Sequence, residues 1–325
     1  MANKFYAIRK GRKTGIYTDW ATAEALVKGV ASEYKSFKTK DEAVRYLLDG
    51  GISVENEIVS AADSDMKQTF LHYIGADEVG KVEPLRRTIA VAAYISPEHL
   101  DDIREMGADR DSKEYSIDSD EITSMGQKLT PFFVYEECKN GVYTCEEYGV
   151  TFSVYGISNK TYNDWHENPS IKANANKIVS VMHNRACMAL YEKLIEQGID
   201  AEAIVIDNYM GEFSYNFEKK YVVGEPKTIT KDSKAKVVFE EKAENKYPAV
   251  AVASIIGSYI EHLWQEYVRA AIAAKGGDLD GHQFGNTNTD VDIAFEELKR
   301  LFGSLDAPEV DVKHTAHYER WKLSN

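Results

Sequence analysis

Residues 71–81 read Leu-His-Tyr-Ile-Gly-Ala-Asp-Glu-Val-Gly-Lys. The first part, residues 71–77, predicts a β-strand, and Asp77 and Glu78 place two adjacent carboxylates at its end. Hard divalent cations bind clustered carboxylate oxygens, although an isolated acidic pair is also typical of an ordinary surface turn. The stretch therefore predicts a strand that ends in a candidate metal site.

The same stretch also fits half of a phosphate-binding loop, because Gly75, Gly80 and Lys81 have the GxxxxGK spacing. Val82 then lacks the hydroxyl that such a loop offers to Mg²⁺. Asp77 and Glu78 would also place negative charge where backbone N–H groups must surround phosphates. We therefore exclude a nucleotide-binding loop.

Two further acids lie next to apolar segments. Asp207 ends the run Ile-Val-Ile-Asp, and Glu244 precedes the run Ala-Val-Ala-Val-Ala-Ser-Ile-Ile at 249–256. Around them, predicted strands alternate with long helices, which indicates an α/β body with a mixed sheet. The predicted strands are 71–77, 88–95, 203–207 and 236–240, with a hairpin within 132–156 that turns at Asn140-Gly141. The predicted helices are 97–106, 118–129, 171–197, 247–274, 290–302 and 316–322.

The composition is that of an ordinary globular chain, with 325 residues, 43% hydrophobic and 28% charged. The longest apolar run without charge, 247–260, is shorter than the ~20 residues of a membrane span, so we expect no membrane association. The first ten residues contain no apolar signal segment, so we expect a cytoplasmic protein. The chain has 3 cysteines and no CxxC, which argues against a disulfide framework and a zinc knuckle. His314 and His317 have the spacing i, i+3, but no cysteine lies near them in the sequence, so we disfavour a zinc site there.

Charge divides the chain unevenly. Residues 1–50 have 10 Lys and Arg against 6 Asp and Glu, whereas the remainder has a net charge of −18. The first 50 residues predict strands at 4–9, 16–18 and 34–37, a helix at 19–28 and a helix capped by Thr39. We expect three regions: a basic domain at 1–50, a polar linker at 51–69 and the acidic body at 70–325.

Basic and aromatic residues are interleaved in the first domain. They fit either a small core with a solvated lysine face or a nucleic-acid surface. The order Lys-Phe-Tyr-Ala-Ile-Arg-Lys-Gly-Arg-Lys-Thr-Gly-Ile-Tyr-Thr-Asp-Trp at 4–20, with Tyr-Lys-Ser-Phe-Lys-Thr at 34–39, resembles the hybrid-binding domain of ribonucleases HI. The resemblance implies a small α+β domain that binds RNA–DNA hybrids. By position, Trp20 and Tyr34 would stack on DNA sugars, and the phosphate contacts would be Lys10, Arg12, Lys13 and Lys35.

The body resembles ribonucleases HII and HIII. The motifs are Asp-Glu-Val-Gly at 77–80, Asp-Ser-Lys at 111–113, His-Asn-Arg-Ala at 183–186, Val-Ile-Asp at 205–207 and Lys-Ala-Glu at 242–244. The resemblance implies a ribonuclease H-like mixed sheet flanked by helices. It also implies endonucleolytic hydrolysis of the RNA strand of RNA–DNA hybrids with two Mg²⁺ or Mn²⁺ ions, one activating water and the other stabilising the leaving 3′ oxygen.

By position, the catalytic residues and metal ligands would be Asp77, Glu78, Asp207 and Glu244. A Glu in the fourth position indicates type HIII. Further nucleic-acid contacts would come from Gly80, Lys81, Lys113 and Lys242, although the last two are equally consistent with ordinary surface lysines.

The chain departs from the family pattern at Val82, where both types have the second glycine of Gly-x-Gly. A valine side chain restricts the close backbone approach that glycine permits. The departure motivates an alternative function, a catalytically impaired hybrid-binding protein. An unrelated metal-dependent enzyme would need the ordered motif matches to arise by chance. The intact acids favour an active ribonuclease H, which we expect to be a monomer.

Overall fold

The computed structural model divides the chain into two compact units, residues 1–69 and 70–325. The residues that the structure describes are 4–12, 15–17, 20–38, 43, 46, 58–59, 70–110, 115, 120–131, 133, 139–168, 173–208, 222, 224–279, 282, 284, 288–305 and 312–324.

The first unit is built on a sheet with the strand order β3-β1-β2-β4. Its elements are β1 (Phe5–Lys10), β2 (Gly15–Tyr17), α1 (Trp20–Val27), β3 (Glu33–Phe37) and β4 (Ile58–Val59). Strand β1 pairs antiparallel with β2 and β3, and β4 pairs parallel with β2. The buried side chains form two clusters, one of Ala7, Ile16 and Ala43 and the other of Ile8, Tyr17, Ala23 and Val27.

This unit contains the three strands and the first helix that the sequence predicts for residues 1–38. The predicted helix after Thr39 lies almost entirely outside the described residues. In the predicted linker, the structure describes only Ile58–Val59, which form a strand with β2 and so belong to the sheet. The rest of 51–69 lies outside the described residues.

The second unit contains a mixed sheet with the strand order β10-β9-β5-β6-β8-β7. Its strands are β5 (Tyr73–Val79), β6 (Thr88–Ile95), β7 (Gly141–Cys145), β8 (Val150–Ile157), β9 (Ala203–Asp207) and β10 (Lys236–Glu240). Strand β9 pairs parallel with both β5 and β10, whereas the pairings on the other side of β5 are antiparallel. The parallel pairing of β5 and β9 brings the acid-bearing parts of the two strands together.

Helices cover both faces of this sheet. The two helices that pack directly on the faces are α5 (Ala175–Glu196) and α6 (Pro248–Ala273). The other helices of this unit are α2 (Leu100–Met106), α3 (Asp120–Leu129), α4 (Asn159–Glu167), α7 (Asn288–Phe302) and α8 (Ala316–Ser324). Ala90 and Ala92 of β6 face a cluster with α5, and Ile89 and Val91 face a cluster with α6, as the alternation of a strand requires. The predicted mixed sheet flanked by helices is confirmed. Within the described residues, no helix has the length and apolar character needed to cross a membrane.

Strand β5 is Tyr73–Val79 rather than 71–77, so Asp77 and Glu78 lie inside the strand, paired with β6, and not at its end. Two further features of the body differ from the sequence prediction. The hairpin does not turn at Asn140-Gly141, because Gly141 begins β7 and the connection is a 3₁₀ helix at Glu146–Tyr148. Asn140 instead pairs with the backbone of Gly156, donating to its carbonyl at 3.0 Å and accepting from its N–H at 2.7 Å. The second feature is α4, which the sequence analysis did not predict and which begins after the capping residue Ser158.

Candidate active site

The candidate site lies at the carboxyl-terminal end of the parallel pairing between β5 and β9. Ala76 and Ile206 are register partners in this parallel pair, so Asp77 and Asp207 occupy neighbouring positions. Helix α6 approaches β5 closely at Gly75, where a Cβ would come within 2.3 Å of the Val250 nitrogen. Any larger residue at position 75 would therefore displace α6, which carries Ser254 next to the acids.

Asp77 is a buried carboxylate, with 8% of the residue exposed. It accepts hydrogen bonds from the Glu78 N–H at 2.8 Å and from the Ser254 hydroxyl. Burial, followed by repulsion from Glu78 and then from Asp207, outweighs these bonds and raises the pKa of Asp77 to about 8. The repulsion shows that three acids share one electrostatic environment.

Glu78 lies between two basic side chains. Its Oε2 is 2.9 Å from Nε2 of His183, a fully buried residue of α5, and its Oε1 is 3.9 Å from Nζ of Lys81. Burial lowers the pKa of Lys81, while the charges of Glu78 and Glu83 act in the opposite direction. These two contacts fix the orientation of the Glu78 carboxylate.

Asp207 is tied to the segment that carries the fourth acid. Its Oδ1 accepts a hydrogen bond from the Ala243 N–H at 3.1 Å, and Glu244 follows as a buried residue with 3% exposure. Lys242, just before this 3₁₀ turn, has a φ of 54°, a left-handed conformation that side chains other than glycine rarely adopt. The strained residue therefore lies two positions before the candidate acid Glu244.

The acids suit a hard divalent cation by their chemistry. Asp77, Glu78 and Asp207 repel one another, which is the situation that a bound cation relieves. Within the described residues, however, no group of three or more His, Cys, Asp or Glu side chains is already arranged to hold a metal ion. The contacts of Glu78 with His183 and Lys81 account for this in part, since they hold that carboxylate on other partners.

The turn after the acids begins at Gly80, whose φ is 69°. A Cβ there would lie 1.8 Å from the Arg87 carbonyl oxygen, so glycine is required. Val82 is 53% exposed, and its N–H donates to the Glu83 carboxylate at 3.0 Å. The side chain that departs from the family pattern thus lies at the surface of the turn.

In the first unit, three aromatic rings form a row. The Trp20 ring centroid lies 5.3 Å from that of Tyr6 and 5.7 Å from that of Tyr34. Trp20 is 40% exposed and Tyr34 is 43% exposed, so neither ring belongs to the core of this unit. Exposed aromatic rings beside cations are typical of a surface that stacks on nucleic acid.

The predicted basic contacts have different environments. Lys10, Lys35 and Lys242 are exposed. The Arg12 guanidinium donates to the carbonyls of Ala25 at 2.6 Å and Lys28 at 3.0 Å, so it also holds the end of α1. The predicted contacts Lys13 and Lys113 lie outside the described residues.

Two side chains at the site, His183 and Ser254, have roles that the sequence alone does not indicate. His183 belongs to a quoted motif, and Ser254 lies in the apolar run after Glu244, but their contacts with Glu78 and Asp77 cross long stretches of chain. The C-terminal histidines do not form a pair: His314 contacts Glu167, and His317 Nε2 lies 2.8 Å from an oxygen of Asp292.

Comparison with known proteins finds ribonucleases HIII among the relatives of this chain. A ribonuclease HIII of Staphylococcus epidermidis is 27% identical over 228 residues, which cover 70% of this chain and 63% of the relative. A ribonuclease HIII of Listeria monocytogenes is 30% identical over 186 residues, which cover 57% of this chain and 50% of the relative. The chain thus matches between half and two thirds of the length of these relatives.

Solved structures show the same fold. The crystal structure of Bst-RNase HIII in complex with Mn²⁺ has a TM-score of 0.62 and 22% identity, covering 90% of this chain and 82% of that one. The ribonuclease H2 from Pyrococcus horikoshii OT3 has a TM-score of 0.52 and 17% identity, covering 78% of this chain and 98% of that one.

Family matches divide the chain in the same way as its charge. Residues 4–47 match the family described as Ribonuclease H1 N-terminal domain. Residues 74–278, which are more than half of the chain, match the family described as Ribonuclease HII. The chain therefore belongs to the ribonuclease HII family and carries an N-terminal domain of the ribonuclease H1 type.

Proposed function

We propose that this protein is an endoribonuclease that hydrolyses the RNA strand of RNA–DNA hybrids. The observation that carries the proposal is the meeting of Asp77, Glu78 and Asp207 at the carboxyl-terminal end of the β5–β9 pairing, with Glu244 in the segment bonded to Asp207. Family membership and the ribonuclease HIII relatives support the same activity.

Asp77, Glu78, Asp207 and Glu244 would hold two divalent ions, Mg²⁺ or Mn²⁺. Bound ions of this kind supply an activated water and neutralise charge on the attacked phosphate and the leaving oxygen. A bound Mn²⁺ in the Bst-RNase HIII structure supports a divalent ion in this fold.

The chain's own residues then orient and balance the carboxylates. Ser254 donates to Asp77, the Ala243 N–H donates to Asp207, and His183 contacts Glu78. Lys81 lies beside Glu78, where it would contact a substrate phosphate, with the Gly80 backbone next to it. The exposed Lys242 would be a second phosphate contact. Lys113 would add a further phosphate contact.

The first unit would hold the hybrid on its exposed aromatic row. Trp20 and Tyr34 offer rings for stacking, and Lys10, Arg12, Lys13 and Lys35 would neutralise backbone phosphates. We further propose that the protein acts in the cytoplasm as a monomer. Light scattering of the purified chain would then give a mass near 36.6 kDa.

A cleavage assay tests the proposed function. The full chain is incubated with Mg²⁺ or Mn²⁺ and an end-labelled RNA strand paired to DNA, beside a DNA duplex and an RNA duplex of the same sequence. We expect cleavage of the RNA in the hybrid only. A hybrid that is bound but left intact would support the alternative, a catalytically impaired hybrid-binding protein, and contradict the nuclease proposal.

A further inference from the structure

The segment between the acids and β6 is held in place by a lysine near the end of the chain. We name this segment, Gly80–Arg87, the acid-following turn. Gly80 comes two residues after Glu78, and Lys81 contacts Glu78. Any shift of the Gly80 peptide would therefore move both the acids and the cation beside them.

Lys313 is completely buried and reaches the first peptide of this turn. Its ammonium donates a hydrogen bond to the Gly80 carbonyl oxygen, which also accepts from the Thr88 hydroxyl at 3.0 Å. The Lys313 N–H donates to the Pro84 carbonyl at 2.7 Å. One residue thus contacts the turn at two points, through its side chain and its backbone.

The segment that carries Lys313 is itself anchored. Asn163 of α4 donates to the Val312 carbonyl at 2.9 Å and accepts from the His314 N–H at 2.7 Å. The Lys313 ammonium also lies 5.0 Å from the centroid of the Tyr162 ring. These contacts keep the lysine in one position rather than letting it follow the turn.

Helix α6 holds the other half of the turn. The fully buried Glu261 lies 3.2 Å from Nε of Arg86, and the Trp264 indole N–H donates to the Leu85 carbonyl at 3.3 Å. Burial raises the pKa of Glu261 to about 7, while the charges of Arg86 and Lys313 act to lower it. The Lys313 charge therefore also acts on Glu261, which holds Arg86 in the second half of the turn.

A buried ammonium is a poor source of stability, because an apolar side chain of similar size avoids its desolvation cost. A fixed hydrogen bond does, however, set the direction of a peptide plane. The Gly80–Lys81 peptide is planar and trans, so pointing its carbonyl towards Lys313 points the Lys81 N–H the opposite way. Lys313 therefore contributes the precise placement of the Gly80–Lys81 peptide.

We propose that Lys313 is a positioning residue for hybrid cleavage: it fixes the Gly80 carbonyl and thereby the placement of Lys81 and Glu78 at the active site. The inference rests on the proposed function. It assigns no contact between Lys313 and substrate.

The test compares Lys313→Met with Lys193→Met, which removes a cation paired with Glu196 near the end of α5. Both full-length variants are assayed at a temperature where circular dichroism shows them folded. We expect Lys313→Met to lower kcat about 10- to 100-fold, with KM within about threefold of the wild type, because a misplacement near 1 Å has effects of this size. Lys193→Met should stay within about threefold in both constants. A folded Lys313→Met variant with wild-type kcat overturns the inference.

Two further measurements apply if Lys313→Met does not fold or if the wild type cleaves no hybrid. If Lys313→Met does not fold, Thr88→Val removes the second hydrogen bond to Gly80 and should lower kcat about 3- to 10-fold; an unchanged kcat overturns the inference. The indole N–H resonance of Trp264 reports on the turn without activity, and it should shift in whichever of the two variants folds. If the wild type cleaves no hybrid, the proposed function fails, and an unshifted Trp264 resonance then overturns the positioning role.

Discussion

Asp77 is held in a position that is unfavourable for a lone carboxylate. Burial and the charges of Glu78 and Asp207 raise its pKa to about 8 from an ordinary value of 3.8. The folded protein therefore binds the proton of the Asp77 carboxyl group more tightly than the unfolded chain does, and this protonation stabilises the fold. The stabilisation is fully present below about pH 4 and is lost as the pH rises through about 8.

A first prediction follows for the metal-free protein. With a chelator present, the free energy of unfolding should fall between pH 5 and pH 8, and Asp77→Asn should remove part of this fall because an amide has no proton to lose. At pH 8 we expect Asp77→Asn to be about 1–3 kcal/mol more stable than the wild type. Urea unfolding across this pH range measures it, and parallel curves for the two proteins would contradict the burial argument.

Lys242 gives a second prediction, because its backbone strain and its charge can be separated. Lys242→Gly removes the ammonium and relieves the left-handed φ of 54°, whereas Lys242→Ala removes only the ammonium. If the side chain contacts phosphate, both variants should raise KM for the hybrid about 3- to 10-fold. Only the glycine variant should also gain about 1 kcal/mol of stability. A wild-type KM for Lys242→Gly would show that the Lys242 side chain does not contact the hybrid.

The residues of the site could be predicted only where the chain marks them locally. Asp77, Glu78 and Asp207 end apolar runs, so strand pattern and residue type identify them. Lys313 meets Gly80 across 233 positions, and His183 meets Glu78 across 105, and no local pattern encodes such contacts. Their discovery required the tertiary structure.

At the scale of elements, the aromatic row of the first unit gives a third prediction. Trp20→Ala should weaken hybrid binding by about 1–3 kcal/mol, the effect of losing one stacking ring, while Trp20→Phe should retain most of the affinity. Val30→Ala, a change at another exposed apolar residue, serves as the control. Fluorescence anisotropy with a labelled hybrid in a chelator measures binding without cleavage. Equal affinities of Trp20→Ala and Val30→Ala for the hybrid would contradict the proposal that the aromatic row binds it.

Strands with strong apolar runs could be predicted closely from the sequence, as β6, β9 and β10 show. The turn of the hairpin between β7 and β8 could not be predicted, because Asn140-Gly141 is a common turn signal and here it extends the strand pairing instead. Helix α4, with the sequence Asn-Lys-Thr-Tyr-Asn-Asp-Trp-His-Glu, buries Asn159 and Asn163 beside Tyr162, so polar residues occupy much of its buried face and its apolar signal in the sequence is weak.

At the scale of the whole molecule, the separation of charge gives a fourth prediction. Removing residues 1–69 should weaken hybrid binding and reduce the slope of log affinity against log salt by about 2 to 5, at about 0.9 for each lost phosphate contact. The value of kcat at saturating hybrid should change little, because the acids lie in the second unit. Binding titrations at several salt concentrations measure the slope. An unchanged slope would show that the basic unit does not touch nucleic acid.

The central claim is that the acids at the carboxyl-terminal end of the β5–β9 pairing perform the cleavage, and Asp77→Asn tests it most directly. The wild type, Asp77→Asn and Asp101→Asn are compared on a labelled RNA–DNA hybrid in Mg²⁺ and in Mn²⁺; Asp101 is a suitable control because its side chain is 87% exposed. We predict that Asp77→Asn lowers the cleavage rate by about 10³-fold or more while its hybrid affinity stays equal or becomes tighter, and that Asp101→Asn matches the wild type. Wild-type cleavage by Asp77→Asn would contradict the account.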